Sequence, residues 1–145
     1  MSVFEVVSAA VIAGICMALA TEAGYRIGII RGNLIRVDGE FALKRIGGEL
    51  SPGLVYLVGT VVHLVTSAAF GLVLWIIAEV IDVAPDSVGL VAAYVFLLWL
   101  AMLLTALPVA GQGILGRRLA DSVWIEQFFL HVLFFFVLWG MLSIF

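Results

Sequence analysis

Apolar residues in this chain gather into four long blocks instead of alternating with polar ones. The blocks cover about residues 3–27, 54–77, 88–107 and 123–145. Each supplies the ~20 mostly apolar residues that a bilayer-crossing helix needs. Helix is the form such segments must take, because a lipid-facing backbone has to satisfy its own hydrogen bonds. Polar signals mark the block edges. Ser51 and Pro52 pair a cap residue with a proline at the first helical position, and Asp86-Ser87 and Asp121-Ser122 precede the third and fourth blocks. Gly47 and Gly48 break the chain before the second block, while Pro108 and Gly111 close the third. The pattern predicts an all-α integral membrane four-helix bundle, a single domain over residues 1–145, made of two helical hairpins.

The connection between the first two blocks, about residues 28–53, is long enough to hold structure of its own. Its middle, Asp38 to Ile46, reads as a short amphipathic helix capped by Asp38, with Glu40 and Lys44 four apart and Phe41, Leu43 and Ile46 apolar. It is expected to lie on the membrane surface, with its basic residues near anionic headgroups.

Composition agrees with the blocks. Hydrophobic residues make up 65% of the chain and charged ones 12%, with a mean hydropathy of +1.28. Soluble domains run nearer 45–50% apolar and about 25% charged. A net charge of −3 with no long basic run excludes nucleic acid as an expected partner. Charge placement then orients the chain. Arg26 lies at the end of the first block and Arg31, Arg36, Lys44 and Arg45 in the loop after it, and Arg117 and Arg118 follow the third. The connection between the second and third blocks carries Glu79, Asp82 and Asp86 and no basic residue. The positive-inside rule puts the two basic loops in the cytoplasm and both termini outside, as in a multi-pass protein of the cell (inner) membrane. Met1 to Glu5 lacks a basic leader region, so the first block is expected to stay as a helix. The single Cys16 excludes an intrachain disulfide and reads as a small buried hydrophobe.

The halves resemble each other. Met17 to Arg31 and Met102 to Arg117 share a Met…Thr…Gly-Ile…Arg order, and Phe70 to Trp75 pairs with Phe136 to Trp139. Each half is then a hairpin whose second helix carries a histidine, a parallel internal repeat about the membrane normal. Small residues line two faces. Ala10, Gly14 and Ala18 lie at steps of four in the first block and lead to Glu22 and Arg26, a candidate ion pair at the boundary. Gly59, His63, Ser67, Gly71 and Trp75 make a matching stripe in the second. Small stripes let helix backbones approach closely, so these two spans are expected to pack along them.

Candidate chemistry rests on His63 and His131, each roughly nine residues into its block. An ionisable residue inside a membrane helix is costly and marks a functional site by default. Gln127 lies one turn before His131, and Glu126 beside Trp124 reads as an ordinary interface residue. Two readings of the pair stay open. Each histidine can give one hydrogen bond to a neighbouring helix. Alternatively, at equal depth on diagonal helices (roughly 12–14 Å along each), they could bind haem b or another tetrapyrrole axially, hold a metal with help from Glu22, or form a proton or quinone site. No phosphate loop, paired-cysteine site, His-Glu-x-x-His or Gly-x-Ser-x-Gly is present, and Gly111 to Gly116 reads as a flexible turn.

The stretch Leu107 to Gly116, Trp124, and the His131 helix ending at Gly140 resemble small prokaryotic four-helix integral membrane proteins of an uncharacterised family. Ala13-Gly14, Asp38 to Phe41, Gly47-Gly48, His63 and Phe70-Gly71 extend the likeness to the first half, while Phe134 to Phe136 depart from it. The resemblance implies an architecture and no activity. The leading functional expectation is a non-enzymatic membrane component, a subunit or assembly module of a complex or a homo-oligomer in the lipid bilayer. A bis-histidine haem b electron carrier comes second, and a small transporter or channel third.

Overall fold

The computed structural model describes residues 1–145 and is helical throughout, with no strand. Four helices are long and apolar enough to cross a membrane: α1 (Val3–Arg26), α3 (Pro52–Ile81), α4 (Val88–Val109) and α5 (Val123–Leu142). The fifth main helix, α2 (Leu34–Ile46), lies in the first connection. The chain is a multi-pass membrane protein built as a four-helix bundle with one short accessory helix.

Local signals account for the helix ends. Ser2 accepts from Glu5 N–H while the Glu5 carboxylate accepts from Ser2 N–H, a capping box that starts α1. Pro52 opens α3 where a missing donor costs nothing, and Asp82 closes it in the left-handed region with φ 54°. The α3 helix therefore exceeds the expected residues 54–77 at both ends.

One expectation needs correction. Asp38 is not a cap: it sits inside α2, whose cap is Asn33, accepting from Arg36 N–H at 3.2 Å. Packing extends the helix backward, because Ile35 and Gly39 both meet α3. The third span runs two residues past the expected 107 and ends at Val109, between Pro108 and Gly111. Residues Met102–Ala106 widen into a π-helical turn, and helix continues through Leu107–Val109. A proline ring clashes with the carbonyl four residues back. Here that residue is Leu104, within the widened turn, which gives the ring room.

Helix order in space follows from which faces are small. On α1, a Cβ built on Gly14 would overlap the Ser67 hydroxyl; on α3, one on Gly71 would lie 2.7 Å from Ala10 Cβ. These antiparallel backbones approach too closely for larger side chains. Another face of α1 packs on α5, α4 packs on α5, and α2 packs on α3. Spans α3 and α4 touch only thinly, and the Tyr94 hydroxyl donating to Phe70 O at 2.7 Å bridges them.

The two ends of the bundle differ. At the acidic end, near Glu79, Asp82 and Asp86, Val6, Ala9, Ala13, Leu74, Val91, Leu138 and Leu142 form a solid core. The basic end has a smaller core of Leu103, Leu107 and Val123. There α2 lies against the first turns of α3 instead of standing apart. Gly39 and Gly59 make this possible, since a Cβ on either would overlap a backbone carbonyl of the other helix, Val55 O or Ile35 O. Backbone cannot give way as a side-chain tip can. Gly59→Ala should therefore destabilise the protein in detergent by about 1–3 kcal/mol, read as a lower unfolding midpoint. Gly53→Ala, with nothing within 4 Å of its new methyl, should leave the midpoint unchanged.

Candidate functional site

Between α3 and α4, which touch only thinly, the basic half of the bundle contains a chamber of about 490 Å³. That is within the range of small-molecule sites, roughly 300–1,000 Å³. One wall is α3, through Val62, His63, Thr66, Ser67 and Phe70; the opposite wall is α4, through Leu98, Ala101, Met102, Thr105, Ala106 and Val109. Met17 of α1 and His131 and Phe134 of α5 form the floor, and Leu34, Asp38 and Phe41 of α2 cover the basic end. The mouth opens sideways between the two spans, where Ala101, Thr105, Ala106 and Val109 are exposed. The π-helical turn contributes Met102, Thr105 and Ala106, so the irregular part of α4 is also its chamber-lining part. Single π-turns inside α-helices concentrate at such sites.

Both histidines line this chamber, and each has one ring nitrogen already engaged. His63 Nε2 lies 3.1 Å from Gly14 O across the α1–α3 seam, and His131 Nδ1 lies 2.8 Å from Gln127 O one turn back. A carbonyl oxygen only accepts, so the nitrogen facing it must carry the hydrogen. A neutral imidazole has a single N–H. In the neutral rings the unengaged nitrogens, Nδ1 of His63 and Nε2 of His131, are therefore acceptors, which makes the two rings opposite tautomers.

Of the remaining candidate residues, Ser67 lines the chamber but spends its hydroxyl on His63 O at 2.8 Å. Glu22 pairs with Arg26 at 2.6 Å and accepts from Asn33 Nδ2 at 2.9 Å, which ties the end of α1 to the start of α2 and keeps it outside the chamber. Gln127 is fully buried behind the site; its Nε2 donates to Gly32 O at 3.2 Å and its Oε1 has no partner. Ala10, Gly14 and Gly71 lie in the α1–α3 seam, Gly59 in the α2–α3 crossing, and Ala18 is half-buried on α1.

Two contributors escaped the sequence reading. Glu126 is a clamp, not merely an interface residue: it accepts from Arg31 N–H at 2.8 Å, Gly32 N–H at 3.1 Å and the Ser122 hydroxyl, fastening the first connection to α5. A carboxylate one turn into a helix, opposite a glycine-containing loop, carried no signal of that distant partner. Asp38 looked like a surface cap. It faces the chamber with no hydrogen bond or ion pair, while its neighbours Arg36 and Lys44 both pair with Glu40, at 2.9 and 3.5 Å. Burial pushes the Asp38 carboxyl from its ordinary 3.8 up to about 7. No group of three His, Cys, Asp or Glu side chains is placed to hold a metal.

No known family profile, curated relative or solved structure matches this chain.

The Asp38 shift has a defined sign. The folded carboxyl holds its proton to higher pH than the unfolded one, so folding loses stability as pH rises from about 4 to about 7 and changes little above. Thermal unfolding in detergent should show the wild type gaining stability as pH falls from about 8 to about 5 relative to Asp38→Asn. At about pH 8 the variant should be the more stable of the two. A variant less stable at that pH would contradict a buried, unpaired carboxylate.

Proposed function

We propose that this chain is a non-enzymatic integral membrane component that holds a small lipophilic ligand between α3 and α4. The carrying observation is the chamber itself: it opens sideways at membrane depth and has both intramembrane histidines in its walls. A lateral mouth suits a ligand that partitions into lipid, and a mostly apolar lining with a few convergent polar groups is the usual make-up of a binding site. The basic end faces the cytoplasm of the inner membrane in this reading, with both termini outside, following the distribution of Arg and Lys. Exposed apolar residues such as Leu19, Leu57, Leu97 and Phe129 face lipid, other subunits of a complex or a second copy of the chain.

A bis-histidine haem b electron carrier is the second reading, and one observation favours it. Both imidazoles border one chamber, each with its N–H held by a carbonyl, as ligating histidines usually are. His63 would then have to ligate through Nδ1, since its Nε2 is the atom bound to Gly14 O.

Native mass spectrometry from lipid discs tests the first reading. A small molecule should accompany the wild type and be lost from Ala106→Trp, which fills the mouth from an exposed position. Equal ligand retention by that variant would overturn it. An absorption spectrum separates the second reading: a Soret band abolished by His131→Ala supports haem, and a colourless protein from haem-replete cells contradicts it.

A further inference from the structure

The hydrogen-bonding groups around the chamber are strongly one-sided. Each histidine has an acceptor nitrogen left over, because its single N–H is spent on Gly14 O or Gln127 O. Ser67 has spent its hydroxyl hydrogen on His63 O. Asp38 adds a carboxylate, an acceptor only when ionised. No lysine or arginine lines the chamber. The nearest cations on α2 are occupied elsewhere: Arg36 and Lys44 by Glu40, and Arg45 over the Phe41 ring at 5.1 Å. Such a site rejects anions and offers little to a carbonyl-bearing molecule, for which only the hydroxyls of Thr66 and Thr105 remain as donors.

The groups are also ordered along the axis. Asp38 lies at the basic end, next to Gly39 where α2 crosses α3 at Val55 and Gly59. His63 follows a turn further in. At the far end stand Phe134, which belongs to the solid core, and the outward-lying Phe70, whose carbonyl accepts from Tyr94. A ligand fitting this order has a donor-bearing positive head and an aromatic or branched apolar body. Resting on the chamber reading above, we infer that the ligand is a lipophilic amine in its ammonium form, its head at Asp38 and its body between Phe70 and Phe134. A charge-assisted N–H···carboxylate contact is the strong kind of hydrogen bond, and aromatic faces favour a cation over a neutral body of the same shape.

The test compares two probes of one shape in phosphatidylcholine discs at about pH 8, where Asp38 is ionised. One is 1-naphthylmethylamine, the other 1-naphthylmethanol, with binding read by isothermal titration calorimetry against empty discs. The amine should bind at least about tenfold more tightly than the alcohol. Asp38→Asn should reduce the amine to about the level of the alcohol and change the alcohol far less. Because Asp38 makes no hydrogen bond or ion pair, this near-isosteric change disturbs no contact needed for folding. Equal affinities, unaffected by Asp38→Asn but both lost in Ala106→Trp, would overturn the ammonium assignment and leave the chamber reading standing. Binding of neither probe above empty discs would overturn both.

Discussion

The close approach of α1 and α3 is the constraint from which the rest of the architecture follows. Gly14 and Gly71 let the two backbones meet where no larger side chain would fit, and His63 crosses the seam to Gly14 O. In a membrane this contact cannot rely on expelling water, so close packing and interhelical hydrogen bonds must hold it. With α1 engaged on one face by α3, α5 takes another face, and α4 packs on α5. That leaves α3 and α4 joined mainly by the Tyr94 hydroxyl. The chamber is the consequence: two spans held apart by what each is packed against.

The basic end completes the site through contacts distant in sequence. Glu126 draws Arg31 and Gly32 onto α5, Glu22 holds Asn33, and Asn33 caps α2. The same chain segment then delivers Ile35 and Gly39 to the glycine crossing on α3 and leaves Asp38 facing inward. Two carboxylates thus position a helix that carries a third. The first two are satisfied by donors, while the third has none, and this contrast separates structural acids from a candidate ligand-binding one.

The fold was readable in the sequence because block length and hydropathy are local properties that lipid converts directly into helices. The stripe of Gly59, His63, Ser67 and Gly71 was equally visible, since a step of four marks one helix face whatever its partner. The site was only half visible. His63 and His131 stand out as polar residues in apolar runs, but their sharing of one chamber depends on how four helices are arranged. Asp38 was misread as a cap because local propensity favours it there, and tertiary packing extended α2 past it. Pro108 marked the end of the third span, but the widened turn that accommodates it has no local signature. Glu126 gave no hint of its role, as its partners lie in the first connection.

Opposite tautomers on two histidines facing one chamber are the central structural claim, and nitrogen-15 NMR of histidine-labelled protein in lipid bilayers measures them directly. One neutral ring should be protonated at Nε2 and assigned to His63 by its loss in His63→Gln. The other should be protonated at Nδ1 and lost in His131→Gln. Two rings of the same tautomer, or two doubly protonated rings, would contradict the acceptor-lined chamber.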